Sequence, residues 1–65
     1  MLVAIGSDHG GFRLKTEIIR HLEEKGIPYK DFGTYTPEAV DYPDISRSVA
    51  EAVAAGECDR GILIC

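Results

Sequence analysis

The chain has little with which to staple itself. Its two cysteines, Cys58 and Cys65, allow one disulfide at most, and no C-x-x-C or other metal-type spacing accompanies them. Basic charge is scarce: 7 Lys and Arg against 11 Asp and Glu give a net charge of −4. That balance argues against nucleic acid as the main partner, because phosphate backbones need a basic face. It does not exclude a phosphorylated metabolite, which one local site can hold. No apolar run approaches the ~20 residues of a membrane span, and the first residues lack the charged and apolar regions of a secretory signal. Repeats and low-complexity segments are missing as well. A reduced, cytoplasmic protein with both cysteines as thiols is the expectation.

What is present is ordinary globular composition, 45% hydrophobic and 28% charged, in 65 residues. That length is one small domain at most, and such a chain buries only about 60% of its extended surface. Leu2, Val3, Ala4 and Ile5 form a short apolar run of the kind found in a buried parallel strand, read here over residues 2–6. A helix follows over 11–25, where Leu14, Ile18 and Leu22 recur every four residues with Ile19 widening the stripe. Arg13, Lys15, Glu17, Arg20, Glu23, Glu24 and Lys25 supply its polar faces, and His21 joins them as a solvated residue. Gly26 and then Pro28 stop the helix.

A second strand is read over 29–32, short, charged and preceded by proline, which suits an edge. Residues 33–40 read as a loop longer than most βα connections, and such length often carries function. Asp41 can cap a second helix over 43–55, with Asp44 in its first turn and Pro43 tolerated there. Ile45, Val49 and Val53 make its buried stripe, and Gly56 ends it. Cys58, after that glycine, reads as structural. Residues 61–65 form a third strand, apolar throughout as if covered on both faces.

The order β-α-β-α-β implies an α/β, Rossmann-like parallel sheet with right-handed crossovers and the first strand between the other two. An apolar third strand with nothing beside its outer edge suggests that residues 1–65 are the first part of a longer three-layer domain. Alone, they are expected to be inactive and poorly folded.

Ligands of open α/β sheets bind beyond the C-terminal ends of the strands. Topology brings an acid, an imidazole, a phenol and a thiol to that edge: Asp8 and His9 after the first strand, Tyr42 after the second, Cys65 ending the third. The turn Gly6-Ser7-Asp8-His9-Gly10-Gly11 leads into a helix N-terminus, which favours anions. Nucleotide motifs do not fit. Gly6 and Gly11 have P-loop glycine spacing, but Phe12-Arg13 stands where Lys-Ser/Thr is needed, and G-x-G-x-x-G is absent.

Four blocks carry a resemblance: Ile5-Gly6-Ser7-Asp8-His9-Gly10-Gly11-Phe12-Arg13-Leu14-Lys15, then Asp31-Phe32-Gly33-Thr34, Val40-Asp41-Tyr42-Pro43-Asp44, and Gly61-Ile62-Leu63-Ile64-Cys65. In this order and spacing they resemble the ribose-5-phosphate isomerase B family, over the whole chain but only about the first half of a family member. The resemblance implies interconversion of ribose 5-phosphate and ribulose 5-phosphate without metal or organic cofactor. It also implies a homodimer or homotetramer with sites across the subunit interface. Asp8 and His9 match the family's substrate-binding pair, Cys65 its general base, and Tyr42 an aromatic lining the pocket. The family continues with a Gly-Thr-Gly-rich anion loop, a ring-opening histidine and phosphate-binding arginines.

Chemistry supports these roles separately. Aldose–ketose isomerisation needs a base near the reacting carbon and donors for the developing oxyanion. A thiol at a strand end, facing a following helix N-terminus, can act as that base. His9 could donate to phosphate or a sugar hydroxyl; Asp8 could accept from hydroxyls or fix the histidine tautomer. Blander readings stand beside them. A cysteine ending a strand can be an inert hydrophobe, Asp8 can be a helix cap, His9 a loop residue, Tyr42 a staple or pocket wall. Two rival functions remain open: galactose-6-phosphate isomerase, and a non-catalytic phosphate- or nucleotide-binding Rossmann domain.

Overall fold

The computed structural model describes residues 1–33 and 42–65, with the side chains of Tyr42 and Pro43 outside the description. The loop read over 33–40 falls outside it except for Gly33, as does the cap assigned to Asp41. The elements are β1 (Val3–Ser7), a 3-10 turn (His9–Gly11), α1 (Phe12–Glu24), β2 (Tyr29–Asp31), α2 (Tyr42–Ala54) and β3 (Arg60–Ile64). They differ from the sequence reading by a residue at most ends, with the helical start read at Gly11 taken up by the 3-10 turn.

The sheet is parallel, in the order β2-β1-β3. Val3, Ala4 and Ile5 pair with Tyr29, Lys30 and Asp31 on one side, and Val3 through Ser7 pair with Arg60 through Ile64 on the other. The expected placement of β1 in the centre holds, and every residue of β1 is buried. Ala4 packs with Val49, Ala52 and Cys58 into one core, joined by Leu2, Phe32 and Val53. Cys58 is thus the structural residue it was read to be. The stripe on α2 is as expected: a Cβ at Gly6 would lie 2.7 Å from Ile45 and 3.2 Å from Val49, so the glycine lets α2 lie close on the sheet.

Both helices end alike. Gly26 and Gly56 have φ of 70° and 79°, a conformation cheap only for glycine. Ile27 N–H donates to Leu22 O and Glu57 N–H to Ala52 O, which closes a Schellman motif at each end.

Two expectations are corrected. Leu14 is not in the α1 stripe but 55% exposed, while Lys15, assigned to a polar face, is 2% exposed. The buried side of α1 runs through Lys15, Ile18, Ile19 and Leu22, so three residues of the stripe stand as read and Lys15 takes the place of Leu14. Its lysine is accommodated because Asp31 of β2 meets it there. Second, among the described residues β3 is not covered on both faces. Leu63 is 42% exposed and Ile62 and Ile64 are half-buried. β3 is the outer strand of the described sheet, and α2 reaches it at Gly61, where a Cβ would meet Val49 and Val53 at 3.0 and 3.2 Å.

Candidate active site

The strand order reverses between β1 and β3, and in open α/β sheets that switch point is where the ligand crevice opens. The chain leaving β1 turns at once. Asp8 lies in extended backbone (φ −84°, ψ −175°) and its Oδ1 accepts from Gly11 N–H at 2.9 Å, capping the 3-10 turn. The cap reading of Asp8 is therefore correct for one oxygen. Oδ2 has no partner among the described residues.

The same turn is held against β3. Asp8 N–H donates to Ile64 O at 3.2 Å. A Cβ at Gly11 would sit 2.7 Å from Ile64 Cγ2 and 2.8 Å from Ile64 O, so only a residue without a side chain lets the turn lie on the strand end. The chain therefore brings Asp8 beside the residue that precedes Cys65. His9, in the turn, is exposed, and its imidazole makes no hydrogen bond among the described residues. Cys65 is an exposed free thiol. α1 starts at Phe12, so its N-terminal amides and positive dipole end lie at this edge. α2 starts there too, at Tyr42; where the Tyr42 side chain lies is outside the described residues.

Two surface depressions lie elsewhere, one along Phe12, Arg13, Leu14, Thr16 and Glu17 of α1, the other between β2 and α2 around Lys30 and Phe32. Neither includes Asp8, His9 or Cys65. Among the described residues the shifted titrations are also remote from this edge, at Tyr29 and Lys30 of β2. A hydrogen bond to Glu23 raises the Tyr29 phenol, and one to Glu57 raises the Lys30 ammonium. Among the described residues no group of three or more His, Cys, Asp or Glu could hold a metal ion. None of their helices is long and apolar enough to cross a membrane.

Two buried polar residues beside the edge escaped the sequence reading. Lys15 and Asp31 form one ion pair, and the spacing Lys15, Ile18, Ile19, Leu22 is itself an i, i+3, i+4, i+7 face that could have revealed it. Ser7 is fully buried and its Oγ has no hydrogen-bond partner among the described residues. No sequence signal marks that.

The profile of a family described as Ribose/Galactose Isomerase matches residues 3–65. Ribose-5-phosphate isomerase B of Escherichia coli is 54% identical over 63 residues, which are 97% of this chain and 42% of that protein. Ribose-5-P isomerase B of Listeria innocua is 48% identical over 65 residues, 100% of this chain and 44% of that protein. A solved Clostridium thermocellum ribose-5-phosphate isomerase B superposes with a TM-score of 0.97 at 58% identity, covering 100% of this chain and 44% of that one. The chain thus spans less than half the length of the relatives it matches.

Proposed function

The chain belongs to the Ribose/Galactose Isomerase family, and from that premise we propose that the protein interconverts ribose 5-phosphate and ribulose 5-phosphate. The observation that carries the reading is the contact at the switch point, where Asp8 N–H meets Ile64 O and sets the Asp8–His9 turn beside Cys65. Relatives named as ribose-5-phosphate isomerase B support it.

In the proposed reaction the Cys65 thiolate removes the proton from C2 of the open-chain aldose. The electron pair moves into a C1–C2 double bond and the carbonyl oxygen O1 becomes the oxyanion of an enediolate. Protonation of C1 by the same thiol, with transfer of the hydroxyl proton from O2 to O1, gives the ketose. Protons move and nothing is oxidised overall, so neither redox partner nor organic cofactor is required. Asp8 accepts a sugar hydroxyl on Oδ2, since Oδ1 is taken by the cap. His9 donates to the phosphate or a hydroxyl, and Tyr42 lines the pocket. Residues 1–65 would then form one wall of a larger domain's site, in a cytoplasmic homodimer or homotetramer with sites across the interface.

A second reading rests on the family description, which names galactose beside ribose. Assaying the intact protein with ribose 5-phosphate and galactose 6-phosphate separates the two: turnover of the hexose phosphate alone overturns the pentose assignment. A non-catalytic phosphate-binding domain would turn over neither.

A further inference from the structure

We infer that Lys15 is a positioning residue for the Asp8–His9 turn, an inference that rests on the proposed role of that turn as the substrate grip. Lys15 is 2% exposed, an uncommon place for an ammonium, and its Nζ lies 2.7 and 2.9 Å from the two carboxylate oxygens of Asp31. Asp31 Oδ1 also accepts from Gly33 N–H at 2.9 Å. Gly33 O in turn accepts from Ser7 N–H at 2.7 Å, and the next amide, Asp8 N–H, reaches Ile64 O. One series of hydrogen bonds thus crosses the C-terminal ends of all three strands, and it starts at a lysine.

The series closes on itself. β1 ends at Ser7, the chain turns through Asp8 and His9 into α1, and the second turn of α1 carries Lys15 back to the strand end that pins Ser7. A buried ion pair is a poor source of net stability, because desolvation cancels much of the attraction, and apolar residues of similar volume often do as well. What apolar residues cannot supply is direction. The ammonium engages both carboxylate oxygens and fixes the carboxylate plane, which leaves Oδ1 aimed at Gly33 N–H. The ring of the helix's first residue, Phe12, adds a cation–π contact at 5.6 Å from Nζ, tying the ammonium to the turn it positions.

The test uses the intact protein, with Lys15→Met and with Lys15→Met/Asp31→Leu, which removes both charges and recovers stability. Amide hydrogen exchange at Gly33 and Ser7 is expected to be faster by about tenfold or more in both variants, with Val3 unchanged within about threefold. KM for ribose 5-phosphate is expected to rise about tenfold, with kcat changed less than about threefold, in both. A purely structural pair predicts otherwise: once the double variant regains wild-type thermal stability, exchange at Ser7 and KM return with it, and that result overturns the inference. If the wild-type protein turns over no sugar phosphate, the proposed reaction fails while the exchange measurement still decides the role of Lys15.

Discussion

The amide of Asp8 donates to the carbonyl of Ile64, across the point where the strand order reverses. Through that one bond the turn after β1 and the end of β3 share a geometry. A disturbance on either side should be felt by both Asp8–His9 and Cys65.

Gly11→Ala disturbs it directly. The backbone there (φ −96°, ψ 3°) is open to alanine, so the penalty is steric. The new methyl meets Ile64 O, a backbone atom that cannot swing away, at 2.8 Å. A loss of about 1–3 kcal/mol is expected, as for other overpacked sites, with a fall in turnover. Gly10→Ala, whose Cβ would meet Asp8 Oδ1 alone among the described residues, at 3.4 Å, should leave stability within about 0.5 kcal/mol. Urea denaturation of both variants checks this; equal stability of the two contradicts the close approach at Gly11.

Ser7→Ala goes the other way. A fully buried hydroxyl with no partner among the described residues carries its desolvation cost uncompensated by them. Its removal should leave stability unchanged or raise it by about 1 kcal/mol. A loss exceeding about 1 kcal/mol in denaturant would mean that the hydroxyl has a partner in solution.

The Lys15–Asp31 pair should respond unequally to loss of either member, because the side chains are 2% and 26% exposed. Asp31→Leu takes the carboxylate away from a buried ammonium and should cost about 3–5 kcal/mol. Lys15→Met leaves a carboxylate that water partly reaches, and about 1–2 kcal/mol is a fair discount on the same figure. Denaturation midpoints decide it, and the reverse ranking would place the desolvated charge on Asp31.

Much of this architecture could be read from residues alone, for physical reasons. The run Leu2–Ile5 and the apolar end Gly61–Ile64 bracket two helices, and right-handed crossovers then leave one strand order. Gly26 and Gly56 marked the helix ends because a left-handed cap is cheap only for glycine. Leu14 was misplaced in the α1 stripe because it is the more hydrophobic neighbour of Lys15, and hydrophobicity cannot see an ion pair formed with a residue 16 positions away. The apolar composition of β3 reports what a strand tolerates, and among the described residues its outer edge is uncovered, as the sequence reading expected. At the site, topology put Asp8, His9 and Cys65 at one edge. That Asp8 Oδ1 caps the turn needed coordinates, since a cap and a proposed ligand call for the same carboxylate.

The central claim is that a thiol at the end of β3 moves the proton while the turn after β1 holds the substrate. Its most direct test is the kcat of Cys65→Ala on ribose 5-phosphate in the intact protein, with substrate affinity measured alongside. The account predicts that kcat falls by about 10²-fold or more, the usual weight of a general base, while affinity stays within about threefold. A variant that turns over within about twofold of the wild type would contradict it, and would move the base elsewhere in the protein.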